Sequence, residues 1–328
     1  MIDNGLEVTR VSGTLIVAAL MGITAGTACR AQMPLPTPPI TIRVTTGLPG
    51  MTFKPLGEAL VQAYARVLPD LRFEVVETAG SVSNLHYLQR GDAELGLALS
   101  DVTYMAFNGR IPEFEEAAKR VRAMAVLHPS VVHVLVPGNS AATSISQLRG
   151  RIGVGPPGSG TAVTSALLLR AFNVPAATVE YQTIPFIDSA EAVAGGRLDA
   201  AFVVAADPVD AVLRATRGGA KLLDVSGPIV QRLRTEYPFL RPGSIPGGTY
   251  PGEARAINTL QVDVLLLCRD DLDEALVRRL TNALFEVLPM LANHNDFLRL
   301  MDLQRAPATP IALHPGAALY YRERELSR

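Results

Sequence analysis

The chain of 328 residues contains no tryptophan, and aromatic residues make up only 5% of it. That scarcity argues against a carbohydrate or nucleobase stacking surface, which needs several aromatic faces. An excess of charge of either sign is also lacking: the net charge is -1, and no basic run is interleaved with aromatics. No field is present to hold nucleic acid, and none is expected as a partner. There are only two cysteines, Cys29 and Cys268, and so no disulfide framework. Cys268 ends the apolar run VDVLLLC and reads as a buried core thiol. The five histidines (His86, His128, His133, His294 and His314) show no metal-ligand spacing. There is no GxSxG elbow, and neither cysteine stands beside a histidine. No metal, cofactor or catalytic residue is therefore expected.

What is present is a well-packed globular composition, 48% hydrophobic and 19% charged, in a chain long enough for two domains. Residues 11–29 carry no charge, follow Arg10, and include Gly26 and Ala28 as a small-x-small cleavage site. Residues 1–28 thus read as an export signal, the alternative being an uncleaved membrane anchor. Cys29 follows Gly-Thr-Ala, which partly resembles a lipoprotein acceptor, so the mature protein is expected to be periplasmic or lipid-anchored at the outer face of the cytoplasmic membrane. Residues 29–39 are a proline-rich linker.

Folded sequence begins at Ile40. The run ITIRVTT alternates as a strand does, and Leu56, Leu60, Ala63 and Val67 follow at helical spacing. Strand, helix and strand then recur over 72–77, 81–89 and 94–99. The pattern restarts with a strand over 151–155, a helix over 161–172, and strand, helix and strand over 178–184, 189–195 and 198–204. Leu88, Gly91 and Glu94 are matched by Val193, Gly196 and Asp199, and Gly50 by Gly158, at offsets of 105 and 108 residues. Gly91 and Gly196 each follow a last helical turn, where a left-handed residue stops a helix. Two apolar strands, 131–136 and 262–268, suit a chain that crosses between halves and returns, and a helix follows over 273–288, capped by Asp270 or Asp271. The expected fold is α/β: two similar lobes, each a mainly parallel sheet flanked by helices, joined by two hinge crossovers. Residues 40–133 plus 262–328 form lobe I, and 134–261 lobe II.

GPPGSGT at 155–161 is one residue from a phosphate-binding loop. Thr161 stands where that loop needs lysine, and Ala162 where it needs a magnesium-binding hydroxyl, which argues against nucleotide hydrolysis. The loop still offers the backbone amides and hydroxyls of Gly158, Ser159, Gly160 and Thr161 at a helix N-terminus, a ready place for an anion. The plain alternative is a helix cap. Thr46-Gly47, Ser81 with Asn84, and Ser100-Asp101 repeat the arrangement, each with a bland reading as cap or strand stop. Ligands in open α/β sheets bind outside the carboxyl ends of the strands, where these places converge.

Six segments together resemble the TAXI-type extracytoplasmic solute receptors of TRAP transporters, within the type II periplasmic binding protein class. They are TTGLPGMTFKPLG (45–57), ETAGSVSNLHYLQRGDAELGLALSD (77–101), GVGPPGSGTAV (153–163), AVAGGRLDAAFVVAADP (192–208), GGTYPGE (247–253) and LHPGAALYYRE (313–323). The resemblance implies a receptor that closes on a small carboxylate and delivers it to TRAP-type membrane carrier subunits. Carried onto matching positions, it places Thr46, Gly47, Phe53, Ser81, Asn84, Ser100, Asp101, Ser159 and Thr161 in the pocket. Met51, Phe53 and Leu99 stand where the family often has Gly, Tyr and Gln. The resemblance implies a glutamate-like carboxylate, and these departures permit a more apolar or aromatic acid instead. A ligand-sensing module for a signalling partner would share the fold and pocket. An enzyme on the same fold is the remaining alternative, for which the sequence shows no nucleophile–base pair.

Overall fold

Alternating apolar residues open the folded chain, and Ile42 and Val44 are fully buried. The computed structural model describes residues 40–326 apart from Glu115, Pro238 and Asn295. The export segment, the linker and Cys29 lie outside the described residues. The first half runs β1 (Ile40–Thr45), α1 (Phe53–Val67), β2 (Leu71–Val76), α2 (Ser81–Arg90), β3 (Leu95–Leu99) and α3 (Ser100–Phe107). A long strand, β4 (Val121–Val136), leads to the second half. That half runs β5 (Gly150–Gly153), α4 (Gly160–Ala171), β6 (Val179–Gln182), α5 (Phe186–Ala194), β7 (Ala200–Ala205), α6 (Asp210–Arg217), β8 (Lys221–Leu222), α7 (Pro228–Glu236) and β9 (Arg241–Ile245). The chain returns through β10 (Ile257–Arg269) and ends in α8 (Glu274–His294) and α9 (Pro315–Leu326).

The main sheet has the order β2-β1-β3-β10-β4-β7-β5-β6, with β8 on β4 and β9 on β10. β1 is parallel to β2 and β3; β5 is parallel to β6 and β7. The two parallel triplets are mirror placements about the antiparallel pair β10–β4. β3 and β7 are buried along their whole length, as strands covered on both faces must be. The result is an α/β fold of two lobes, with a central sheet flanked by helices.

The two crossing strands are longer than their apolar runs predict, 16 residues for β4 and 13 for β10. Their extra length contains Pro129 and two shifts of register, so it does not alternate cleanly. Leu265, Leu266 and Leu267 in β10 have no exposure. Each stabilises the fold by about 1.5–3 kcal/mol on burial. Cys268 is buried among them, and burial pushes its thiol up, so it stays protonated.

Two local expectations are corrected. Tyr64, whose hydroxyl donates to the Leu280 carbonyl at 3.0 Å, takes the place on the buried face of α1 that periodicity assigned to Val67. Asp273, not Asp270 or Asp271, receives a first-turn amide of α8, the N–H of Leu276 at 2.8 Å. Asp270 and Asp271 instead pair with Arg120, Arg122 and Arg269.

Both helix stops have one geometry. Gly91 (φ +82°) donates to Leu88 and Asp92 to Tyr87; Gly196 (φ +67°) donates to Val193 and Arg197 to Ala192. This is the Schellman pattern, in which glycine takes the left-handed position.

Candidate functional site

The loops that leave the carboxyl ends of β1, β3, β5 and β7 meet the N-terminal turns of α2 and α4. After β1, the Thr46 carbonyl accepts from the Asn84 amide at 2.7 Å. The same amide donates to Leu97 at 2.6 Å, and its oxygen accepts from Thr78 at 2.5 Å. Asn84 is therefore a brace that ties α2 to β3 and to two loops. Gly47 lets Phe53 close in, since a Cβ there would lie 3.1 Å from the Phe53 Cβ.

After β5, Gly158 adopts φ +80° and reaches across to the other lobe. Its carbonyl accepts from Val82 at 3.0 Å and from Ser83 at 3.1 Å, capping the first turn of α2. Ser159 caps α4 by accepting from Ala162 at 3.2 Å. Gly160 then packs directly on the first half: a Cβ there would lie 2.6 Å from Ser81 Oγ and 2.7 Å from Leu99 Cδ1.

Between these turns lies a cavity of about 20 Å3. Its walls include Phe53, Ser81 and Leu99 from the first half and Gly160, Thr161 and Phe186 from the second. A water needs about 10–15 Å3 of such space, so this arrangement admits one water-sized group. No charged side chain lines it. Ser81 Oγ accepts the Leu99 N–H at 3.1 Å, and Thr161 Oγ1 accepts the Val204 N–H at 3.2 Å. Each hydroxyl has its oxygen engaged by a strand-end amide, and among the described residues neither has an acceptor for its own proton. Among the described residues the amides of Ser81, Gly160 and Thr161 also lack acceptors, as first-turn amides do. Both walls thus present hydrogen-bond donors.

Of the residues expected at the pocket, Phe53, Ser81, Gly160 and Thr161 stand on the cavity wall. The structure does not bring the others there. Thr46, Gly47 and Asn84 support the wall from within the first half, and Ser159 is spent as a helix cap. Gly158 holds α2 through its carbonyl. Ser100 points elsewhere, its hydroxyl oxygen accepting from the Asp263 amide at 3.0 Å. Asp101 accepts from Thr164 of α4 at 2.6 Å, linking the halves. Burial pushes its carboxyl up to about 6 against the lowering effect of that hydrogen bond.

Sequence reading missed Phe186, Val204, Ala205 and Val209 on the wall. It also left the motif GGTYPGE without a role. The Val209 N–H donates to the Tyr250 hydroxyl at 3.1 Å, and that hydroxyl lies 2.8 Å from His133 Nε2. His133 Nδ1 lies 3.2 Å from the Val203 carbonyl, which assigns its proton to Nδ1. Burial pulls the His133 pKa down to about 4, so the ring is neutral and accepts from Tyr250. This chain of bonds fixes the turn that carries Val209 to the cavity. Among the described residues, no helix is long and apolar enough to cross a membrane.

A family model described as the NMT1-like family matches residues 44–324. Among solved structures, MatC from Rhodopseudomonas palustris with bound malate is 14% identical, with 88% of this chain and 98% of that one covered and a TM-score of 0.55. A Xanthomonas citri protein bound to chloride ion is 14% identical, covering 87% of this chain and 99% of that one, with a TM-score of 0.51. The same Xanthomonas protein bound to ATP gives a TM-score of 0.51 at 15% identity, over 87% of this chain and 98% of that one. These likenesses show the fold. With its matched region running from β1 to α9, the chain belongs to the NMT1-like family.

Proposed function

We propose that this protein is an exported solute-binding receptor that takes a small organic anion between its lobes and hands it to a membrane carrier. The observation that carries the reading is the pair of inward hydroxyls, Ser81 and Thr161, each with its oxygen held by a strand-end amide and its proton left to donate. They stand on the first turns of α2 and α4, whose positive dipole ends favour an anion. No carboxylate lines the cavity to oppose one. A fold shared with a malate-bound protein is consistent with a carboxylate ligand. Phe53, Leu99 and Phe186 favour an acid with an apolar body over glutamate.

The lobe boundaries we propose are 40–133 plus 262–328 and 134–261, so that β4 and β10 serve as the hinge. Residues 1–28 act as the export signal. The carrier we propose is of the TRAP type, on the segments that resemble TAXI receptors. Uptake that stops when the ion gradient is collapsed, but continues when ATP is depleted, supports this carrier. The reverse result assigns the receptor to an ATP-driven one.

The binding reading is tested by thermal unfolding of the purified protein against a panel of carboxylates, sulfonates and amines. A ligand at a hundred times its dissociation constant adds about 2.7 kcal/mol of stability. A carboxylate is expected to raise the melting temperature. No shift from any anion in the panel rejects the reading.

A further inference from the structure

A second cavity, of about 350 Å3, opens beside the junction of β3 and α3. It shares no wall residue with the cleft: Leu99 lines the cleft, and the next residue, Ser100, lines this cavity. Its volume falls in the range of small-molecule pockets, about 300–1,000 Å3. The walls come from α3 (Ser100, Tyr104), from β9 and the residues before it (Phe239, Arg241), from β10 (Asp263) and from Arg305.

The charges there do not balance. The Asp263 carboxylate is 9% exposed and is held by both Arg241 and Arg305, the latter at 3.1 Å. Two guanidinium groups on one carboxylate leave an excess of one positive charge. The buried Nε of Arg241 has no acceptor among the described residues. Since Ser100 Oγ accepts the Asp263 amide, its proton remains to donate. Opposite these donors is an apolar wall, the Tyr104 and Phe239 rings with centroids 5.0 Å apart.

A surplus cation, a spare hydroxyl proton and two aromatic rings around one space match a particular chemistry. We propose that this cavity is a second ligand site, taking a small monocarboxylate with a flat apolar body. The carboxylate pairs with Arg305 and the Ser100 hydroxyl, and the body lies against Tyr104 and Phe239. The excess charge at a partly enclosed site supplies the attraction, and the rings supply selection for a flat body over acetate.

The test uses benzoate as probe, by isothermal titration of the protein. Saturable binding is expected, with acetate at least about tenfold weaker because it lacks the ring. Arg305→Gln is expected to weaken benzoate by about tenfold or more, the loss of a charge-assisted hydrogen bond. Ala308→Trp fills the cavity from its exposed rim and leaves the Asp263 pairs intact. It is expected to abolish benzoate binding without lowering the melting temperature. Thr161→Val, in the cleft, weakens binding of the acid taken there and leaves in place the benzoate binding that depends on Arg305. The proposal is overturned if benzoate shows no saturable binding, or if Ala308→Trp binds it as the parent does. It is equally overturned if Thr161→Val removes the binding, since benzoate would then occupy the cleft. A failure here leaves the cleft reading standing, because that reading is separated from this one by Ser81→Ala and Thr161→Val, whose residues line the cleft and not this cavity.

Discussion

In lobe I, the Arg43 N–H donates to Glu94 at 2.8 Å and the Glu94 N–H returns to the Arg43 carbonyl at 3.2 Å. In lobe II, Arg151 and Asp199 exchange the same two bonds, at 2.7 and 2.8 Å. The acidic residue three places after each Schellman glycine therefore pins a helix–strand turn to the first strand of its lobe. At the cleft the two lobes diverge. Ser81 opens α2, and Phe186 opens its counterpart α5; Phe53 opens α1, and Thr161 stands at the matching place in α4. At these four matched positions each lobe gives one hydroxyl and one phenyl ring, interchanged, and Thr52 adds a second hydroxyl residue from the first half. A repeated scaffold has kept its frame identical and exchanged the chemistry of its two helix starts. The cavity is thus polar on one diagonal and apolar on the other.

The largest break in this comparison is expected at Gly160, whose counterpart in lobe I is Thr52. Gly160→Val places methyl groups against Ser81 and Leu99 of the other lobe. Overpacking of this kind costs about 2–3 kcal/mol, so affinity for the best acid of the panel should fall about a hundredfold. The melting temperature of the free protein should change little, because the conflict lies between lobes. Unchanged affinity would mean that the lobes do not close on the ligand at this point.

The frame itself is probed by Glu94→Gln and Asp199→Asn in urea. Glu94 also pairs with the Arg43 guanidinium at 2.8 Å and with Arg269 at 3.5 Å. Burial alone would raise its pKa, but the hydrogen bonds and charge of Arg43, with Arg269, hold it below the usual carboxylate range. Loss of these bonds should cost about 2 kcal/mol, against about 1 kcal/mol for Asp199, which is exposed and accepts the single backbone amide of Arg151. A depressed carboxyl contributes its stability above the ordinary pKa and loses it as pH falls through the folded value. Glu94→Gln should therefore flatten the acid limb of the stability curve. Equal costs for the two variants would show that the arginine pair adds nothing to the backbone bonds.

The smallest effects sharpen the diagonal. Ser81→Ala and Thr161→Val should each weaken the ligand about tenfold, and by similar factors, since each removes one donor in an equivalent setting. Isothermal titration that finds only one of them affected would place the anion on a single lobe.

The repeat was legible because periodic apolar residues and a glycine at a fixed offset report backbone needs that tertiary packing does not overrule. The donors at Ser81 and Thr161 were legible for the same reason: helix starts are local. The direction of a side chain at a strand end is not local. Ser100 and Asp101 are adjacent at the cleft edge, yet one serves the β10 backbone and the other reaches Thr164. Asn84 reads as a ligand contact because it stands one turn into the helix that Ser81 opens, but its amide is spent on two carbonyls and a threonine. Phe186 could have been found by carrying Ser81 forward 105 residues through the repeat. An apolar ring carries no local sign of a ligand, and its partner Phe53 is reached only through the family resemblance. Tyr250 and His133, far apart in sequence, gave no signal that they meet.

The Gly158 carbonyl, bonded to two amides of α2, also sets a timescale. Nothing larger than water fits the cavity while those bonds stand, so the proposed solute must break them to enter and keep them broken while it stays. Two neutral hydrogen bonds of about 1 kcal/mol each then slow entry, and weaken binding, about thirtyfold. A partner that draws α2 and the Gly158 loop apart would hasten entry by the same factor.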